Sequence, residues 1–198
     1  MKAFNNYDDA KKAAQKTASV KLPAGAYVCK IMGVRYEEGT DGRSDLLVLQ
    51  FDITEGEQKD FFKKQYEANT SEDKKWKGTV RVYVPTDDGS ERDGLTKRIF
   101  AGWIDAVEKS NPGYSWGWDE TTLKNKMVGI VFGETGTVID GRNIVYTEAR
   151  FGVDIEKVRT GKAPEAKFKA KNGYNSSGHV LNDDFIKVPE TSESEIPF

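Results

Sequence analysis

Cations and aromatic rings interleave at several places in the chain, and that pairing is what a flexible polyanion with stackable bases requires. Lysines and arginines neutralise phosphates, and flat rings take bases at about 1–3 kcal/mol each. The densest run is Lys74-Lys75-Trp76-Lys77, continued by Arg81 and Tyr83 along the stretch T-V-R-V-Y-V. Lys63, Lys64 and Tyr66 precede it. Tyr146 and Arg150 alternate with Val145, Thr147 and Ala149 in a later apolar stretch, and Arg142 lies beside Asp140-Gly141. Each has a plainer reading: Trp76 folded back over a core beside a solvated hairpin tip, Tyr146 turned inward, Arg142 as an ordinary turn residue. Trp116 and Trp118, next to Asp119-Glu120, read as cover for one end of the fold, and Trp103 reads as core.

Catalytic chemistry finds little support. His179 is the only histidine and lies in a Ser/Gly/Asn stretch, and Cys29, the only cysteine, sits inside an apolar run and reads as an inert core residue. Those counts exclude an internal disulfide and a Cys/His zinc site. Gly133-Glu134-Thr135-Gly136 imitates a phosphate-gripping GxxG loop, but its glutamate repels phosphate, and a hairpin turn is the better reading. Asp87, Asp88, Glu91 and Asp93 lack the spacing of a calcium loop and suit turn and helix-capping chemistry. The expectation is a binding protein, not an enzyme, that needs no cofactor and no metal.

The elements that must position these residues follow from periodicity. Ala26–Tyr36 and Leu46–Thr54 read as a hairpin, with Leu47, Leu49, Phe51 and Ile53 alternating onto one face. Thr79–Val84 is a third strand, with the valines on one face and Arg81 and Tyr83 on the other. Leu95, Ile99, Trp103 and Val107 recur at helical spacing, with Asp93 as N-cap and Asn111-Pro112-Gly113 as stop. Met127–Gly133 and Asn143–Phe151 are two further strands, and Asp140-Gly141 suits a two-residue hairpin turn. Residues 7–18 read as a short peripheral helix. Beyond Arg159 the chain is Gly-, Ser-, Lys- and Asn-rich, the composition of a flexible segment.

Three strands, a helix and two strands is the order of an OB-fold, and the expected fold class is mainly β: a five-stranded Greek-key barrel with one helix between strands 3 and 4, plus a flexible C-terminal tail. The expected organisation is an N-terminal extension over residues 1–21, a nucleic-acid-binding domain over 22–158, and a basic linker with an acidic tail over 159–198. Charge follows that division. The total is -2, but from Asp183 onward five acids face one base, which leaves +2 on residues 1–182. Lys157 to Tyr174 carries six bases against Glu165. The N-terminus lacks the apolar core of a signal peptide and no stretch approaches the length of a membrane span, so a cytoplasmic location without membrane association is expected.

The chain closes on Glu193-Ser194-Glu195-Ile196-Pro197-Phe198. This ending closely resembles the acidic tip of bacterial single-stranded DNA-binding proteins, in which an OB-fold precedes a linker and an acidic tail ending in Ile-Pro-Phe. Leu22-Pro23-Ala24-Gly25-Ala26-Tyr27, leading into a strand, resembles the start of phage- and prophage-encoded members. Serines interrupt the glutamates here, where the usual tip has a denser acid run. The resemblance implies sequence-non-specific single-stranded DNA binding in phage DNA replication, recombination or repair. It also implies that Glu193, Glu195, Ile196, Pro197 and Phe198 recruit replication or recombination proteins, with self-association left open. The alternative is an adaptor whose barrel binds protein or sugar.

Overall fold

A computed structural model of the chain describes residues 21–40, 43–171 and 173–174. β1 (Gly25–Glu37) and β2 (Leu46–Ile53) are followed by α1 (Phe61–Ala68), β3 (Thr79–Tyr83) and α2 (Glu91–Ser110). A 3-10 turn at Glu120–Leu123 leads to β4 (Met127–Ile139), β5 (Arg142–Val153), α3 (Ile155–Arg159) and β6 (Lys169–Ala170). The strands form one mixed sheet in the order β3-β2-β1-β4-β5, antiparallel throughout that path, with β6 added parallel to β4. β3 and β5 end the path, so the sheet is not closed. No described helix is long and apolar enough to cross a membrane.

Alternation along β2 does what its residue types dictate. Leu47, Leu49, Phe51 and Ile53 are buried, and the register places Leu47 between Tyr36 and Val82 and Leu49 between Val34 and Val80. Ile31, Val128, Ile130, Phe132 and Leu123 complete the sheet's side of the core, where Phe51, Phe62 and Phe132 pack with centroids 5.5 to 6.2 Å apart. Cys29 is fully buried, and burial pushes its thiol well above the usual range, which removes its nucleophilicity at neutral pH.

The helix between the third and fourth strands is present, with two corrections. Its inward residues are Phe100, Trp103, Ile104 and Val107, while Leu95 and Ile99 are about half exposed, at 50% and 48%. The true stripe is offset from the expected one because only the C-terminal half of α2 lies against the sheet, where Trp103 and Ala106 close over Gly152. The N-cap is Ser90, whose hydroxyl accepts from the Asp93 N–H at 3.1 Å. Asp93 itself is buried and turns back, accepting from the backbone of Thr86 and Asp87 at 2.9 and 3.1 Å and pairing with Lys97 at 2.9 Å.

That arrangement carries a pH dependence. Lys97, then the Asp87 and Thr86 N–H groups, hold the Asp93 carboxyl below its ordinary value. A carboxylate depressed in the folded state contributes stability in full above its unfolded pKa of about 3.9 and loses it as pH falls through the lower folded value. Thermal midpoints taken from pH 7 down to about 2 should therefore drop below pH 4, and Asp93→Asn should flatten that fall while lowering the neutral-pH midpoint.

The last strands are longer than expected. Gly133-Glu134-Thr135-Gly136 is strand interior, not a turn, and β4 and β5 stay paired from Ile139↔Arg142 to Gly129↔Val153. The turn is Asp140-Gly141, with φ of 49° and 71°, as the dipeptide requires. Gly136 is needed for packing: a Cβ there would stand 2.7 Å from the Phe168 ring and 2.8 Å from Tyr174. Within the segment expected as a flexible linker, β6 pairs with β4 at Thr135 and Gly136, and Ala166 and Phe168 lie against Gly133 and Gly136. Lys171 donates its N–H to the Gly136 carbonyl at 2.8 Å, and its ammonium bonds Glu148 at 3.0 Å. Leu22, buried under the same hairpin, accepts from the Thr147 hydroxyl at 2.6 Å. The helix expected over residues 7–18 lies outside the described residues.

Candidate nucleic-acid interface

The face of β1, β2 and β3 opposite the core is set by register. Val48 lies between Arg35 and Arg81, Leu46 between Glu37 and Tyr83, and Gln50 between Gly33 and Thr79. Val48 is fully buried in this row while Arg81 is exposed and Tyr83 is 54% exposed. Among the described residues Arg81, Lys75 and Lys77 form no ion pair.

One end of this face is built by α1 and the segment before β3. α1 is only eight residues long and its N-cap residue, Asp60, makes no capping bond. Asp52, buried on β2, caps it instead, accepting from the N–H groups of Phe62 at 3.0 Å and Lys63 at 3.1 Å. Phe62 anchors the helix in the core and Tyr66, one turn on, sits half-buried beside Trp76.

Trp76 is pinned by its indole N–H, which donates to the carbonyls of Phe51 at 3.0 Å and Gly78 at 3.1 Å. Gly78 permits that approach, because a Cβ there would lie 2.3 Å from the Phe51 oxygen. Tyr66 meets Trp76 with ring centroids 5.8 Å apart, and the Lys74 ammonium stands 4.6 Å from the Tyr66 centroid. Met32, Gln50, Tyr66, Lys74 and Trp76 line an open cavity of about 310 Å³. Gly33 leaves room for Gln50 to cross β1, its amide oxygen falling 2.8 Å from where a Cβ would be.

The far end of the face is acidic. Glu37 takes Arg35 at 2.6 Å, and Asp45 accepts from the Tyr36 hydroxyl and from the Gly39 N–H, which hold its carboxyl below the usual range. The Lys74–Trp76 end thus carries Lys74, Lys75 and Lys77 next to Glu72 and Asp73, and the end beyond Tyr83 carries Glu37 and Asp45.

The structure brings Tyr66, Lys74, Trp76, Arg81 and Tyr83 together on this face, with Lys75 and Lys77 exposed beside them. Lys64 lies on α1 and gives its ammonium to the Lys59 carbonyl at 2.7 Å. Arg142, Tyr146 and Arg150 belong to the opposite end of the strand order, on β5. Arg142 is exposed beside the hairpin turn, and Tyr146 is half-buried with the Lys171 ammonium 5.9 Å from its ring centroid. The Arg150 guanidinium is engaged internally, donating to Glu148 at 2.8 Å, the Glu134 carbonyl at 2.8 Å and the Thr135 hydroxyl at 2.7 Å. Glu193, Glu195, Ile196, Pro197 and Phe198 lie outside the described residues.

Sequence reasoning passed over Met32, Arg35 and Gln50. The alternation that sends Leu49 and Phe51 inward already sends Gln50 outward, so that residue was within reach. Met32 was not, because the β1–β2 register shifts between Ile31 and Gly33. Trp116 packs against the core as expected, and Trp118, 77% exposed, lies parallel to the buried Phe100 at 6.2 Å and beside Trp116 at 6.2 Å. The carboxylates of Asp87, Asp88 and Asp93 are taken up by Thr86, Ser90 and Lys97 in the turn before α2.

No protein-family model matches the chain, and no curated protein matches it at a significant level.

Proposed function

We propose that the chain binds single-stranded DNA without sequence preference across the outer face of β1, β2 and β3. The observation that carries this reading is the platform formed by Tyr66, Lys74 and Trp76, which continues into Arg81 and Tyr83. Rings and cations alternate there, the pattern that stacks bases while neutralising the backbone. Connectivity supports it too. β1 pairs with both β2 and β4, β3 and β5 form the ends, and α2 joins β3 to β4. That is the strand order of an OB barrel opened between β3 and β5, a fold whose second and third strands bind oligonucleotides. On the same reading the acidic Ile-Pro-Phe ending recruits replication or recombination proteins in a phage setting.

The test is tryptophan fluorescence during titration with oligo-dT, with duplex DNA as comparison and at two salt concentrations. Trp118→Phe should be the background, because the most exposed indole lies away from the platform. Quenching by the single strand alone, weakening as salt rises, is expected. No response to oligo-dT at low salt, with a negative gel shift, overturns the reading. It would favour the second one, an adaptor that binds protein or sugar, for which the exposed Trp118 and Met32 speak.

A further inference from the structure

Gln50 presents an unanswered amide to the open cavity on the outer face. The register sets it between Gly33 and Thr79. Gly33 has no side chain to offer, and the Thr79 hydroxyl donates to the Trp76 carbonyl at 3.4 Å. Among the described residues no hydrogen bond reaches the Gln50 amide, although the side chain is half-buried. The other walls are already placed: the carbonyls of Phe51 and Gly78 hold Trp76, and the Lys74 ammonium stands over Tyr66, in an ion pair with neither Glu72 nor Asp73. A half-buried amide with donor and acceptor both unfilled, between two rings and a cation, fits a flat ligand that has a polar edge and an anion attached.

We propose that this cavity is a subsite for one nucleobase of the bound strand, with the Gln50 amide hydrogen-bonded to its Watson–Crick edge. On the single-strand reading of this face, on which the subsite rests, the amide explains how every base is tolerated. Each base carries a donor next to an acceptor on that edge: the amino group and ring nitrogen of cytosine and adenine, the ring N–H and keto oxygen of thymine and guanine. A carboxamide is also a donor next to an acceptor, and turning it over exchanges the two. Gln50 can therefore pair with any base, in one orientation for cytosine and adenine and in the other for thymine and guanine.

The rest of the cavity suits the same role. Met32, 50% exposed and unbranched, gives it a wall that adapts to one ring or two. Its place beside Gln50 comes from the shift in register between Ile31 and Gly33. Lys74 is at hand for the phosphate. A volume of about 310 Å³ lies at the low end of ligand sites, the scale of one nucleotide and not of a stack.

Binding of oligo-dT and of an oligomer of N3-methylthymidine, by the full chain and by Gln50→Met, forms a double-mutant cycle across this one contact. Methylation removes the thymine donor, and methionine keeps the length of the side chain without its amide. Each change alone should weaken binding about 3- to 10-fold, and both together no further than the larger of them. The melting temperature of Gln50→Met should stay near that of the parent, since no bond within the fold is lost. Gln50→Glu supplies a second measurement: a carboxylate only accepts, so it suits the cytosine amino group and opposes the thymine keto oxygen. Its charge lowers affinity for both strands, and the ratio of oligo-dC to oligo-dT affinity should rise about fivefold or more. Gln50→Met binding oligo-dT as tightly as the parent overturns the subsite. So does a methylation penalty equal in both proteins, or a ratio unmoved by Gln50→Glu. Those results leave oligo-dT binding by the parent intact, whereas no response of the parent to oligo-dT removes the single-strand reading and the subsite together.

Discussion

Asp52→Ala is expected to destabilise the fold by about 3 kcal/mol, read from urea denaturation, and to weaken oligo-dT binding beyond what the lost stability explains. Asp52 is 6% exposed, and its carboxylate satisfies three backbone donors at once: its own neighbour Ile53 at 2.9 Å, and Phe62 and Lys63 at the start of α1. Buried donors left without a partner cost about 1–3 kcal/mol each, and alanine offers none of them an acceptor. An eight-residue helix has no stability of its own, so α1 depends on this bond and on Phe62 for its place. Tyr66 would lose its position against Trp76, which ties the stability change to the platform. Asp52→Asn keeps one acceptor oxygen and should cost only about 1 kcal/mol. A change below 0.5 kcal/mol for alanine, or equal effects of the two substitutions, would show that the cap does not matter.

Tyr83→Ala should leave the melting temperature nearly unchanged and lower single-strand affinity by about 1–3 kcal/mol, roughly 5- to 150-fold. The reason for the clean separation is location. Tyr83 is more than half exposed, opposite Leu46 and outside the core cluster, whereas Trp76 both faces the cavity and bonds the core backbone. Arg81→Ala, one row along, should weaken binding less and reduce the slope of log affinity against log salt by about one. Unchanged affinity for Tyr83→Ala in fluorescence anisotropy would remove β3 from the binding face.

The sheet was legible in the sequence where one face is buried and the other wet. Leu47, Leu49, Phe51 and Ile53 announce β2, and the valines of β3 place Arg81 and Tyr83 outward without further information. What escaped depends on contacts between residues far apart in sequence. α1 is short, carries little apolar stripe, and takes its cap from a residue of β2, so no local pattern marks it. Leu95 and Ile99 keep perfect helical spacing with Trp103 and Val107, but spacing cannot say where a helix runs off the edge of its sheet. Gly133 and Gly136 look like turn residues in one dimension, and only Ala166, Phe168 and Tyr174 reveal them as places where a returning segment presses on a strand. The cations of the platform were readable as a cluster, while the engagement of Arg150 by Glu148, Glu134 and Thr135 was not.

The parallel contact of β6 with β4 also sets an order in time. β4 and β5 join through a two-residue turn and can zip from it within microseconds. β6 pairs with Thr135 and Gly136 across a separation of more than thirty residues, and Lys171 reaches Glu148 and Tyr146 only when β5 is already in place. This strap is therefore the late arrival in folding, and with a two-residue ladder it is the first to let go. Its release would uncover Gly136 and free a run of lysines, so the amide of Lys171 should exchange with solvent long before those of β1 and β2.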